Sequence, residues 1–178
     1  MLGAMNYAPE AWHDFGVTVG GLAGALTGLL FVALSIKGPA LDASLALRSR
    51  AAQTLVLFVT PAIAGVVLVA PQPRTGIGGE LLVLAAVSGV SLLVLDRRAG
   101  HDSENVVARY IERASPNSII AVLTGVAGLT LLLRGGGGLY WLIPAVRAGL
   151  VGGVINAWLF LLRIPGTIGP PSSGPPVP

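Results

Sequence analysis

Two long apolar runs carry no charge, two shorter ones follow, and a fifth is broken by one arginine; together they organise the chain. Phe15 to Ile36 and Ala51 to Pro73 hold 22 and 23 residues without an Asp, Glu, Lys or Arg. Leu81 to Leu95 and Ile119 to Leu133 hold 15 each, and Leu139 to Leu162 is interrupted by Arg147. A spanning helix needs about 20 mostly apolar residues. The pattern therefore predicts an all-α polytopic bundle of five transmembrane helices, at about 15–36, 52–71, 79–96, 118–134 and 139–162. The third, fenced by Glu80 and Asp96, crosses only if its ends snorkel or the bilayer thins. The fourth is of similar length. Residues 1–163 form one helical membrane domain. Residues 164–178, rich in Pro, Gly and Ser, are expected to be an extended, disordered tail.

Composition sharpens this reading. Charged residues are 11% of 178 and hydrophobic residues 53%, with a mean hydropathy of +0.80. A soluble domain carries about 25% charge. The balance excludes a disordered chain and a soluble nucleic-acid binder. The chain has no cysteine, so disulfides, thiolate metal sites and cysteine nucleophiles are excluded too. No Lys or Arg precedes the first run, which argues for a retained helix over a cleaved signal peptide.

The net charge of +3 reads as a topology signal. Lys37, Arg48 and Arg50 follow the first span, and Arg97, Arg98, Arg109 and Arg113 follow the third. Arg163 follows the fifth; the other loops hold only Arg74 and Arg134. Under the positive-inside rule the N-terminus lies outside and the C-terminus inside. Tyr7, Trp12 and Phe15, then Tyr140 and Trp141, are expected as an aromatic belt at the outer face, with Trp158 and Phe160 near the inner one.

The connections differ in kind. Residues 71–80 read as a short Pro/Gly turn and 135–138, four glycines, as a tight link. Residues 41–50 are candidates to continue the first span as an interfacial helix. Asp102 or Ser103 can cap an amphipathic helix running to about Ala114.

The most specific motif is in the first span. Gly16, Gly20, Gly24 and Gly28 recur every fourth residue, a groove without side chains that Gly21 and Ala25 widen. In lipid, close backbone approach over small residues is a main source of helix association. Another helix is expected against this stripe, from the same chain or from a second copy. Ala85 with Gly89, and Gly149 with Gly153, are shorter versions of the device.

Three intramembrane polar residues stand out: Asp14, Arg147 and Asn156. Arg147 lies on the order of 12 Å into its helix, where a charge faces the interior, a cavity or the interface by snorkelling. Pro144 is a candidate kink beside it, and Asp14 its best partner for an ion pair. The Asn156 amide wants a partner inside the membrane. Glu10, His13 and Asp14 share a helix face, a set that metals accept, but a solvated helix end is the preferred reading. No phosphate-binding loop, nucleophile elbow or His-Glu-x-x-His motif occurs, and no pair of intramembrane histidines to hold a haem. No enzyme activity and no cofactor is expected.

Trp12-His13-Asp14-Phe15, the glycine stretch and Leu26-Thr27-Gly28-Leu29-Leu30-Phe31-Val32-Ala33-Leu34-Ser35 resemble the start of an uncharacterised group of small multi-pass membrane proteins from actinobacteria. Arg50-Ala51-Ala52-Gln53-Thr54-Leu55, Gly138-Leu139-Tyr140-Trp141 and Asn156-Ala157-Trp158 resemble later stretches of it. The similarity covers most of residues 11–163. Members are often automatically labelled modulators of the FtsH membrane protease; the resemblance implies a bacterial plasma membrane, and its motifs are uninformative about chemistry.

The sequence thus points to a non-enzymatic accessory or scaffold subunit. It would bind another integral membrane protein, or itself as a homo-oligomer, through glycine-rich helix faces. The alternative is a small oligomeric channel or transporter with the first span and Arg147 lining the pathway.

Overall fold

The structure, a computed structural model, describes residues 9–36, 45–98, 116–135 and 137–163. These residues form α1 (Pro9–Ile36), α2 (Leu45–Val69), α3 (Arg74–Arg98), α4 (Pro116–Leu132), a 3-10 turn (Gly138–Trp141) and α5 (Leu142–Arg163). Four helices, α1, α2, α3 and the turn with α5, are long and apolar enough to cross a membrane; α4 is a shorter apolar helix. The described residues form helices joined by turns, with no strand among them, as the lengths of the apolar runs predict.

Successive helices pack side by side and alternate in direction, and α2 also packs against α5. Trp12, near the start of α1, meets Tyr140 just before α5, with ring centroids 5.2 Å apart and planes at 85°. Arg74, at the start of α3, meets the end of α4. The starts of α1, α3 and α5 therefore share one end of the bundle, here the Trp12 end. The starts of α2 and α4 lie at the other, the Ile36 end.

The larger core cluster joins Trp12, Leu68, Leu81, Leu131 and Leu139 at the Trp12 end. A smaller one, Leu57, Leu92 and Ile120, joins α2, α3 and α4. Trp12 is only 7% exposed, so it belongs to the core and not to the lipid-facing belt expected of it. A ring this large stabilises more by closing helix starts together than by floating at the interface. Tyr140, Trp141 and Trp158 are exposed.

Several hydroxyl groups within the helices bond back to their own backbone, which satisfies their donors in an apolar medium. Thr27 donates to the Ala23 carbonyl at 2.8 Å, Thr60 to Val56 at 2.7 Å and Thr130 to Val126 at 2.7 Å. Pro61, inside α2, has no N–H to offer the Leu57 carbonyl. That oxygen lies against Gly149 of α5, where a Cβ would come within 3.2 Å of it. The absence of a side chain there lets the α5 backbone cover the exposed acceptor.

Several boundaries differ from the sequence reading. Residues 45–50 do not extend α1; they are the first turns of α2. The turn between α2 and α3 is confined to about residues 70–73, and α3 is 25 residues long. Gln72 and Arg74 make this possible. Gln72 Nε2 donates to the Val67 carbonyl at the end of α2, 3.1 Å, and to Glu80 Oε2, 3.0 Å. Arg74 Nε donates to the Leu131 carbonyl at 2.6 Å, a cation on the negative end of α4. Polar residues there cap helices and do not end them. Pro144 sits in the first turn of α5, where a proline ring removes no helical bond, so it does not kink the helix. After α4, Arg134 takes a left-handed φ of 58° and the Gly135 N–H reaches back to the Thr130 carbonyl at 3.2 Å. This is a Schellman-type close with arginine where glycine is usual. Gly137 (φ 101°) and Gly138 (φ 53°) then turn the chain into α5.

The expected helix at 102–114, the tail at 164–178, Tyr7, Lys37 and the side chains of Glu10 and Phe160 lie outside the described residues.

Candidate functional site

The glycine stripe of α1 divides into a covered half and an open half. Gly16 and Gly20 face α2 across Gly65. A Cβ on Gly16 would lie 2.9 Å from the Gly65 carbonyl oxygen and from Leu68 Cβ. A Cβ on Gly65 would lie 2.6 Å from the Gly16 carbonyl oxygen and 2.7 Å from the Gly20 nitrogen. Two backbones touch here, and only because three glycines meet. At Gly20 itself the nearest atoms are 3.8 Å away, which is ordinary contact.

Beyond that crossing the stripe has no neighbour among the described residues. A Cβ on Gly21, Gly24 or Gly28 would meet nothing within 4 Å, and Ala25 beside them is exposed. Gly24 and Gly28 keep the four-residue spacing that brings transmembrane helices together. α1 is also the least buried of the four long helices, held chiefly by α2 and scarcely touching α5.

Most other helix glycines are used internally, Gly79 of α3 being an exception with open space around it. Gly149 receives Ile120 and the Leu57 carbonyl, and Gly153 receives the Phe58 ring. Ala85 and Gly89 of α3 meet Gly125 and Ala121 of α4, with Cβ positions 3.5 and 3.4 Å apart. Gly78 and Gly128 bring the same two helices to backbone contact: a Cβ on Gly128 would lie 2.8 Å from the Gly78 carbonyl oxygen. The sequence reading missed Gly65, Gly78, Gly125 and Gly128. Ala121 with Gly125 has the small-residue spacing that signals such a seam, whereas Gly65 stands alone in α2 and carries no repeat.

The polar candidates do not converge. The Asp14 side chain is 99% exposed, with His13 Nδ1 at 3.4 Å, and Arg147 is exposed on α5. The pairing expected between Asp14 and Arg147 is not formed, and both side chains are exposed. Among the described residues Asn156 is half-buried and makes no side-chain hydrogen bond. No group of three His, Asp or Glu side chains with metal-binding spacing occurs among the described residues.

Two hollows are notable. An open one of about 710 Å³ at the Trp12 end is bounded by His13 and residues 68–73. A narrower cleft of about 260 Å³ lies between α1, α2 and α5, lined by apolar side chains. Arg147 lines neither.

No protein-family model, no curated protein and no solved structure matches the chain.

Proposed function

We propose that this chain is a five-span plasma-membrane protein of a bacterium that acts, without chemistry of its own, as an accessory subunit. It binds another transmembrane helix across the open half of the α1 stripe. The observation that carries this reading is the bare surface at Gly21, Gly24 and Gly28. Glycine inside a helix is unfavourable by about 1 kcal/mol relative to alanine, and here nothing in the described residues uses the space it leaves. Elsewhere in the bundle, at 65, 78, 128, 149 and 153, the missing side chain is filled by a neighbour. A second helix crossing Gly24 and Gly28 gives the same return. The sequence resemblance makes a membrane-bound protease the first partner to test, with a second copy of the chain as the alternative.

The distribution of charge supports the five-span orientation. Arg48, Arg50, Arg97, Arg98 and Arg163 fall at the Ile36 end, and Arg74 and Arg134 at the other. The Ile36 end is then cytoplasmic. α4 runs antiparallel to α3 along their shared seam, which supports a fourth crossing by the shorter helix.

The test is the mass of the purified chain in nanodiscs, with copurifying proteins identified. A stoichiometric membrane partner or a defined oligomer is expected. The double substitution Gly24→Leu, Gly28→Leu should weaken that association at least about tenfold, equivalent to about 1.4 kcal/mol, and leave the chain folded. A solitary monomer, or a double variant that keeps its partner, overturns the reading.

A further inference from the structure

We infer that the cleft between α1, α2 and α5 holds one acyl chain of an anionic phospholipid from the leaflet at the Ile36 end. The proposal does not rest on the docking face, which lies at different α1 positions.

The walls of the cleft include Leu26, Leu30 and Ala33 from α1, Phe58 from α2, and Ala157 and Trp158 from α5. α1 and α5 both pack on α2 and scarcely on each other, so the gap between them stays open to the bilayer. Towards the Trp12 end it closes, where Gly16, Gly20 and Gly65 bring α1 onto α2.

Size selects the occupant. Helix α1 rises about 10 Å from Leu26 to Ala33. A volume of about 260 Å³ falls well short of the roughly 800–1,100 Å³ that a helix about 10–12 Å across with its side chains fills over that rise. A transmembrane helix, including one from a second copy, does not enter. A single polymethylene chain does, and apolar walls suit it.

Charge selects the headgroup. α2 and α5 each carry basic residues in the turns at the open end of the cleft. Arg48 and Arg50 lie in the first turns of α2, Arg163 ends α5, and Lys37 follows α1 in the sequence. A lipid phosphate at that surface is attracted by these cations, while its chain follows the cleft from Ala33 towards Leu26.

The experiment is native mass spectrometry of the full chain in mild detergent, after exposure to equal amounts of phosphatidylglycerol and phosphatidylcholine. One retained lipid per chain is expected, phosphatidylglycerol favoured by about tenfold or more. Ala33→Trp fills the cleft from its half-buried edge and should lower retention by about tenfold or more. Ala157→Phe is a second filling variant, should the first fail to fold. Arg48→Gln with Arg50→Gln should keep one lipid and lose most of the preference. No retained lipid, parent-level retention in a folded filling variant, or an unchanged preference in the arginine variant overturns the proposal. So does a cross-link between two copies through Ala33→Cys.

Discussion

At Gly65 a single methyl group is enough to push neighbouring helices apart. Its Cβ would sit against the backbone of Gly16 and Gly20, and backbone cannot rotate aside as a side-chain tip can. Gly65→Ala should destabilise the fold by about 1–3 kcal/mol, the range for overpacking a tight contact. Gly24→Ala, with open space around it, should leave the isolated chain within about 0.5 kcal/mol of the parent. Unfolding of the two variants side by side in a denaturing detergent titration checks both; equal stability would remove the distinction between covered and open glycines. The stripe on α1 was legible because it repeats. Which of its glycines are covered was not, because the partner is one isolated glycine in another helix. Arg147 and Asp14 illustrate a second limit. Position along a helix gives depth in the membrane, but the neighbour a side chain faces is set by how the helices rotate on packing.

At the scale of the element, the number and placement of the helices followed from apolar length, and their ends did not. Charge-free runs end at Glu80 and Asp96, yet α3 continues through Glu80 back to Arg74 and through Asp96 to Arg98. Long polar side chains reach the surface from a helix; Gln72, just before α3, caps α2, and Arg74, its first residue, caps α4. A charge marks where the bilayer core stops, not where the hydrogen-bond ladder stops. Helix ends are best tested by proximity, and a chain with no cysteine suits that test. Trp12→Cys with Tyr140→Cys should join through a short bis-maleimide, because those rings touch. Trp12→Cys with Trp158→Cys, at opposite ends, should not. Cross-linking of the second pair alone would contradict the alternating order of the helices.

At the scale of the whole molecule, one end of the bundle is rich in arginine and the other poor, and α1 starts at the end opposite to the one where α5 stops. An impermeant maleimide added to intact cells should label Thr75→Cys, at the Trp12 end, and spare Ser118→Cys, at the start of α4. The reverse pattern would invert the proposed orientation, and labelling of both would remove the crossing by α3. The stoichiometry of any assembly was not legible in the sequence at all, since a small-residue face has the same composition whether its neighbour is internal or foreign.

The contact of α2 with α5 has a consequence for synthesis. Helices leave the ribosome in order, but α2 meets its last neighbour only after every other helix has been made. Until then the Leu57 carbonyl, which Pro61 deprives of its helical donor, and the adjoining Phe58 ring face hydrocarbon with nothing against them. In lipid an unsatisfied backbone group costs several kcal/mol. A nascent chain stalled after α4 therefore displays a marker of incompleteness that quality control can read, and the arrival of Gly149 and Gly153 erases it. Chains cut at Gly137 should be cleared from the membrane much faster than full-length ones in a pulse-chase, and equal lifetimes would show that α5 seals nothing.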